Sequence, residues 1–355
     1  MEAYIDGRSA ISPQNTFSGE NPFDDVREYE NVNFMKCIEP QYNALIDPMA
    51  SRRMSRIMKM GLASALKCLD EAGINIPDAV VTGTGLGCIE DTEKFLGALH
   101  ANEEKLLNPT PFIQSTHNTI AASIAILLKC FGYNNTFSHR GFSFESALID
   151  SLMLLEEGSV NNVLAGGVDE LTANSFTITN RMGFWKKKPV SNLRLLDYDS
   201  KGSLAGEGSA FFLLNKHKTN RSAAKILSVS TFYKPEGFAE IENRLSAILT
   251  NDLVESDQSE VVLMGLSGDR VTDGIYYYLK NTLFRNTPCA YFKHLSGEYD
   301  TSSSFALYLA SGIIKEQKLP EIIRLDDKPI EKIRKILIYN HLRNSQHSVI
   351  LLSSC

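Results

Sequence analysis

The sequence is short of the features that would tie it to a metal, a membrane or a nucleic acid. Its six cysteines, at 37, 68, 88, 130, 289 and 355, are scattered. None forms a CxxC pair or stands at ligand spacing from a histidine, so neither a disulfide framework nor a zinc site is indicated. The longest apolar run, 120–128, contains Ser123 and stops at Lys129. A bilayer-crossing helix needs about 20 apolar residues, so no membrane span is expected. The net charge of −6 gives no general basic surface for nucleic acid or an anionic membrane. The opening residues, from Glu2 to Asp6, have neither a basic segment nor an apolar one, so no secretory leader is expected. Free thiols without a leader predict a cytoplasmic protein.

What is present is the alternation of an α/β protein. Apolar runs at 80–81, 161–165, 210–214, 260–264 and 335–339 predict buried strands. Helical periodicity runs over 51–72, 118–129, 142–157 and 301–315, with a charged helical stretch over 91–107. Strands interleaved with helices predict mostly parallel sheets with helices on their faces. The 355 residues can hold two core-bearing units or one large duplicated one. The polar, basic run 215–221 is the natural joint, dividing the chain into 1–215 and 216–355. There is no low-complexity tract and no short-period repeat.

The most informative stretch starts at Gly132. Thr136 to Ser138 read as a short strand that runs through His139, Arg140 and Gly141 into a helix. That helix carries Phe144, Ala147, Leu148, Leu152 and Leu155 on one side and ends at Gly158, the residue type that suits a helix C-terminus. A second strand follows and ends in Gly166 and Gly167. A strand–turn–helix of this kind can present a nucleophile. The unpaired N–H groups and the positive dipole end of the helix would lower a cysteine pKa.

This stretch resembles the nucleophile region of the β-ketoacyl synthases. Without gaps, Gly132 takes the first glycine of the pattern, Thr136 the threonine, Ala147 the helix alanine and Gly158 the helix-end glycine. Gly166 and Gly167 take the closing pair. The resemblance puts Gly141 where the family has its catalytic cysteine. Further on, Asp197, Asp199, Gly202, Gly206, Glu207, Gly208 and Ala210 resemble the family's aspartate-to-GEGxA segment. There Glu207 is expected to be architectural, a buried glutamate holding backbone amides. Met264 stands in the place of the family's first catalytic histidine. Lys293 and Gly297 match the second histidine motif, with Glu298 replacing the histidine itself. His294 is read as a structural histidine. The segment 340–346 replaces the family's late glycine-rich loop.

The resemblance implies an α/β, thiolase-like fold of duplicated αβαβα layers, needing no cofactor and no metal. Decarboxylative condensation requires a thiolate to carry the acyl chain and paired donors for the developing charge. A glycine, a methionine and a glutamate supply none of these, and Glu298 would disfavour negative charge. The implied protein is a catalytically silent subunit resembling a chain length factor. It would pair with an active ketosynthase, meet an acyl-carrier protein and shape the tunnel that holds the growing chain. The family pairs the strand before the nucleophile across a dimer two-fold, which implies an interface over 134–139, including Phe137 and His139. The segment 110–118, with Phe112, Gln114 and His117, corresponds to the part that reaches a neighbour's acyl pocket. Its wording resembles ketosynthase-like subunits of aryl polyene and flexirubin-type pathways. Two alternatives remain open. One is a genuine β-ketoacyl-ACP synthase or acyltransferase with a relocated nucleophile such as Ser143 or Cys289. The other is an acyl- or carrier-binding protein without activity. Ser138 and Ser143 are the hydroxyls nearest the turn, and either would need an adjacent base.

Three features read as decoys. Gly83, Gly85 and Gly87 lack dinucleotide-loop spacing and predict a strand-end turn. Cys88 is expected to be a buried thiol. Arg52 and Arg53 open an amphipathic basic helix on a solvated or partner-facing edge.

Overall fold

A computed structural model describes residues 2–18, 23–252 and 260–355. The first part of the chain contributes five strands: β1 (Ala3–Ile11), β2 (Ala79–Gly83), β3 (Tyr133–Phe137), β4 (Asn162–Asp169) and β5 (Gly208–Asn215). The second contributes five more: β6 (Ala224–Tyr233), β7 (Glu260–Met264), β8 (Cys289–Tyr291), β9 (Lys335–Leu342) and β10 (Gln346–Ser353). All ten join in the order β3-β2-β4-β5-β1-β6-β10-β9-β7-β8. Read outward from the middle, the second five repeat the first, each strand numbered five higher. The sense of pairing repeats too: β2 is parallel to β3 and β4, as β7 is to β8 and β9. The sheet is mixed. Parallel pairing is confined to these flanks, where helices make the crossovers. The centre is antiparallel from β4 to β9.

The helices are α1 (Pro48–Ser51), α2 (Arg56–Ala72), α3 (Ile89–Ala101), α4 (Pro109–Gln114), α5 (Thr119–Leu128), α6 (Ser143–Glu157), α7 (Ala173–Arg181), α8 (Phe238–Asp252), α9 (Gly274–Asn281), α10 (Lys293–Ser296) and α11 (Ser302–Glu316). Alternating residues of each strand fall into different cores, which sets the layers. Val81, Val163, Phe212, Val261, Ile338 and Ile350 share one core with the apolar faces of α6 and α11. Val80, Leu164 and Phe211 instead pack on α2 and α5. Val262, Leu337 and Leu351 pack on α8 and α9. Helices α6 and α11 therefore form the middle layer, between strands of both halves, with the other helices outside. Among the described residues no helix is long and apolar enough to cross a membrane.

The expected elements are present with shifted ends. The 51–72 helix breaks because Ser55 is extended (φ −67°, ψ 169°), leaving α1 as a separate turn capped by Asp47. The charged 91–107 stretch stops being helical at Ala101, since Glu103, Glu104 and Leu106 take positive φ. The strand predicted at 136–138 begins three residues earlier and ends at Phe137, which leaves Ser138 outside it. Strands β1, β6, β8 and β10 carry no expectation from the sequence reading.

Candidate functional site

The site forms where the two middle-layer helices begin. Strand β3 ends at Phe137 and the chain turns through a single 3-10 turn, Arg140–Phe142, into α6. Arg140 adopts φ 55°, a left-handed conformation that an L-residue takes only under constraint. The constraint is Ser143. Its buried hydroxyl accepts from His139 N at 2.8 Å and donates toward Arg140 O at 2.7 Å or Thr84 O at 3.0 Å. Behind it, the α6 start lies so close to β2 that only glycine fits at 83: a Cβ there would fall 2.4 Å from the Ser143 carbonyl.

Gly141 itself is buried. Its N–H donates to Gln346 Oε1 at 3.0 Å, and Gln346 Nε2 donates to His139 O at 2.9 Å. Leu342, the last residue of β9, covers the glycine.

In the second half, β8 leads through α10 to α11, the counterpart of β3 leading to α6. Lys293 is 1% exposed. Its Nζ lies 2.6 Å from Glu298 Oε2 and 3.4 Å from the carbonyl of His341. Burial raises the Glu298 pKa against the pull of Lys293. Its backbone is fixed by the glycine-rich segment opposite: Glu298 N donates to Leu204 O at 2.8 Å, and Gly206 N donates to Glu298 O at 3.1 Å. The β9–β10 hairpin thus ties the halves together, with His341 on Lys293 and Leu342 on Gly141. A second link joins the helix starts, as Arg140 Nη1 lies 3.3 Å from Asp300 Oδ2.

Met264 lies elsewhere. Strand alternation turns it to the outer layer, where it packs with Tyr276 and Tyr339. His294 is fully buried and stacked on Tyr291 with centroids 3.9 Å apart. Burial pushes its pKa down to about 3, so it stays neutral near pH 7. The candidate replacement nucleophiles are poorly placed. Ser143 bonds only to backbone groups, with no imidazole among its partners. Ser138 donates to Gly85 O at 3.4 Å. Cys289 is buried, and burial followed by Asp326 pushes its thiol up to about 12. Burial also raises the Cys88 thiol. The glycine run before Cys88 is a strand-end turn, in which Gly85 N donates to Asp169 Oδ1 at 2.7 Å.

Glu207 is fully buried below the site. It accepts from Cys37 N and Leu171 N, both at 3.0 Å, and from both terminal nitrogens of Arg56. Gly166 and Gly167 make room for neighbouring layers: a Cβ on the first would meet the Phe211 ring at 2.3 Å, and one on the second would meet Ser304 at 2.9 Å.

The remaining expected positions line the outer edge. Strand β3 has a neighbour only in β2, so its other edge is free within the described residues. Phe137 is half-buried, while His139, Phe112, Gln114 and His117 lie at or near the surface. Gln114 Nε2 donates to Arg53 O, and Phe112 packs on Phe95 with centroids 5.1 Å apart. Around this edge Phe131 is 95% and Ile126 78% exposed.

Sequence reasoning marked 340–346 only as a replaced loop and did not foresee that Leu342 and Gln346, about two hundred positions away in the chain, close on Gly141. It also missed Glu145, fully enclosed one turn into α6, whose carboxyl pKa burial raises. No short-range signal marks any of them.

Residues 29–196 match the family model for the β-ketoacyl synthase N-terminal domain. A curated relative, the 3-oxoacyl-[acyl-carrier-protein] synthase 2 of Synechocystis, is 20% identical over 229 residues, covering 61% of this chain and 52% of that protein. The chain thus matches about half the length of that relative. Among solved structures, the ishigamide ketosynthase/chain length factor superposes with a TM-score of 0.80 at 16% identity, covering 100% of this chain and 99% of the other. A ketosynthase in complex with its chain length factor from Xenorhabdus doucetiae gives 0.77 at 16% identity, covering 99% and 98%. Residues 29–196 thus resemble the β-ketoacyl synthase N-terminal domain, and the whole chain has the mixed α/β, thiolase-like fold of those structures.

Proposed function

We propose that this chain is a catalytically silent, chain-length-factor-like subunit that pairs with an active β-ketoacyl-ACP synthase and shapes its acyl tunnel. One observation carries the reading: the turn between β3 and α6 presents Gly141, which has no side chain to form an acyl-enzyme. The second half supports it. On the register of the resemblance, a buried lysine–carboxylate pair takes the place of the second histidine, and a carboxylate there opposes an enolate. The free edge of β3, flanked by exposed apolar residues, has the character of a surface that needs a partner.

In this reading the halves are 1–215 and 216–355. Phe137 and His139 sit at the subunit interface. Phe112, Gln114 and His117 face the partner's tunnel, and Glu207, Gly166 and Gly167 are architectural. The pair would act on acyl chains delivered by an acyl-carrier protein, in the cytoplasm, in a pathway of the aryl polyene or flexirubin type. The test has two arms. Incubation of the purified chain with acyl-loaded carrier protein should leave its intact mass unchanged. Co-expression with an intact ketosynthase encoded beside it should yield a stable heterodimer. An acyl adduct, or a purely homodimeric product, would count against the reading.

A further inference from the structure

The β9–β10 hairpin meets the α6 turn at two points, and both are specific to the residues there. A Cβ built on Gly141 would lie 2.8 Å from Leu342 Cβ, 3.1 Å from Leu342 Cδ2 and 3.2 Å from Gln346 Oε1. The nearest clash is with the root of the leucine side chain. A rotamer change cannot relieve it, because Cβ moves only with the backbone. Leu342 is 8% exposed and held in the β9–β10 ladder opposite Gln346. The second contact is polar. Gly141 N–H, a donor a helix start leaves open, is taken by the side-chain carbonyl of Gln346, whose amide nitrogen holds His139 O. One side chain thus clips both ends of the turn.

We infer that Leu342 and Gln346 are a built-in occupant of this turn. The leucine fills the volume a nucleophile side chain would need, and the glutamine carbonyl takes the N–H that would otherwise meet an acyl oxygen. This rests on the register that equates Gly141 with the nucleophile position. It goes further than the missing thiol, since returning sulfur alone would not reopen the site. The occupant is the chain's own hairpin, so the turn is closed whether or not a partner is bound.

The test compares Gly141→Cys with Gly141→Cys/Leu342→Ala/Gln346→Ala, each treated with iodoacetamide and read peptide by peptide by mass spectrometry. In this reaction a thiolate attacks the reagent's carbon, a C–S bond forms and iodide leaves. The closed turn predicts that the introduced thiol in the single variant reacts at least tenfold slower than the exposed Cys355. The same thiol in the triple variant should react at least tenfold faster than in the single. A single variant that labels at this position as fast as at Cys355, with no gain in the triple, overturns the inference. If the single variant does not fold, Gln346→Ala alone decides: hydrogen exchange at the 139–141 amides should accelerate at least tenfold while the middle of α6 is unchanged, and unchanged exchange at the turn overturns the inference. The functional reading fails separately. An acyl adduct on the natural chain would remove the silent role and leave the packing result intact.

Discussion

Lys293 and Glu298 form a buried ion pair, Nζ to Oε2 2.6 Å, from the first residue of α10 to the chain just past its end, with side-chain exposures of only 1% and 9%. Truncating one member leaves an uncompensated charge in the interior. Lys293→Met is therefore expected to destabilise the fold by about 3–5 kcal/mol. Lys293→Met/Glu298→Leu should recover much of the loss, because an apolar pair of similar volume carries no desolvation cost. Urea midpoints of the two variants and the natural chain give the comparison. Equal losses in the single and double variants would mean that the pair is not a unit.

Asp273 gives the chain a specific pH response. Its carboxylate accepts from Ser267 N, Ser267 Oγ and Gly268 N, yet burial pushes its pKa up to about 7, against the pull of Lys293. An unfolded aspartate titrates near ~4. Between those values the folded chain holds a proton that the unfolded chain has released. The stabilising contribution is thus fully present below about pH 4 and is lost as pH rises through 7. His294 and His347, depressed by burial to about 3 and about 4, act in the opposite sense, losing stability as pH falls below the ordinary histidine range. Asp273→Asn isolates the acid. The slope of stability against pH between about 5 and 7 should become less negative by up to about 1.4 kcal/mol per pH unit. Chemical denaturation at several pH values measures it, and parallel curves for both proteins would refute the assignment.

The proposed partner surface is the rim of β3. Phe131 is 95% exposed, so Phe131→Asp removes nothing from the core and should leave the melting temperature of the isolated chain unchanged. A buried aromatic that acts as an interface hot spot carries about 2 kcal/mol or more of binding energy. Heterodimer recovery on co-expression should fall at least tenfold, read by size exclusion with light scattering. An undiminished heterodimer would move the interface away from this edge.

Much of the fold was legible because strands and helices differ in period. The runs 210–214 and 336–339 are buried on both faces and stand out as continuous apolar segments. Strand β6 mixes Lys225, Ser228, Ser230 and Thr231 among its apolar residues, and β8 is three residues long, so neither announces itself. The site was legible only in its local part. The register around Gly141 follows from neighbours in sequence. The contacts of Gly141 with Leu342 and Gln346, and the outward turn of Met264, depend on strand order and on which face a residue takes. Neither is written into any short stretch.

Glu207 makes the strongest case for a residue that resembles a site but supports one. Its two oxygens accept from two backbone amides and from the Arg56 guanidinium, which in turn meets Glu39 at 2.5 Å. The amides belong to Cys37 and Leu171, so a single carboxylate holds the segment before α1 and the one before α7 against β5. Glu207→Gln keeps the volume but turns an NH2 group toward N–H donors, leaving one of them unsatisfied. An unmet buried donor costs about 1–3 kcal/mol, and weakening the buried guanidinium pair adds to that. The expected loss is therefore about 3 kcal/mol in urea unfolding. Among the described residues no hydrogen bond or ion pair links Glu207 to the 139–141 turn. The amide exchange of residues 139–141 under native conditions should consequently match that of the natural chain. Stability loss with an unchanged turn marks Glu207 as a brace. A faster-exchanging turn in that variant would place it in the site after all.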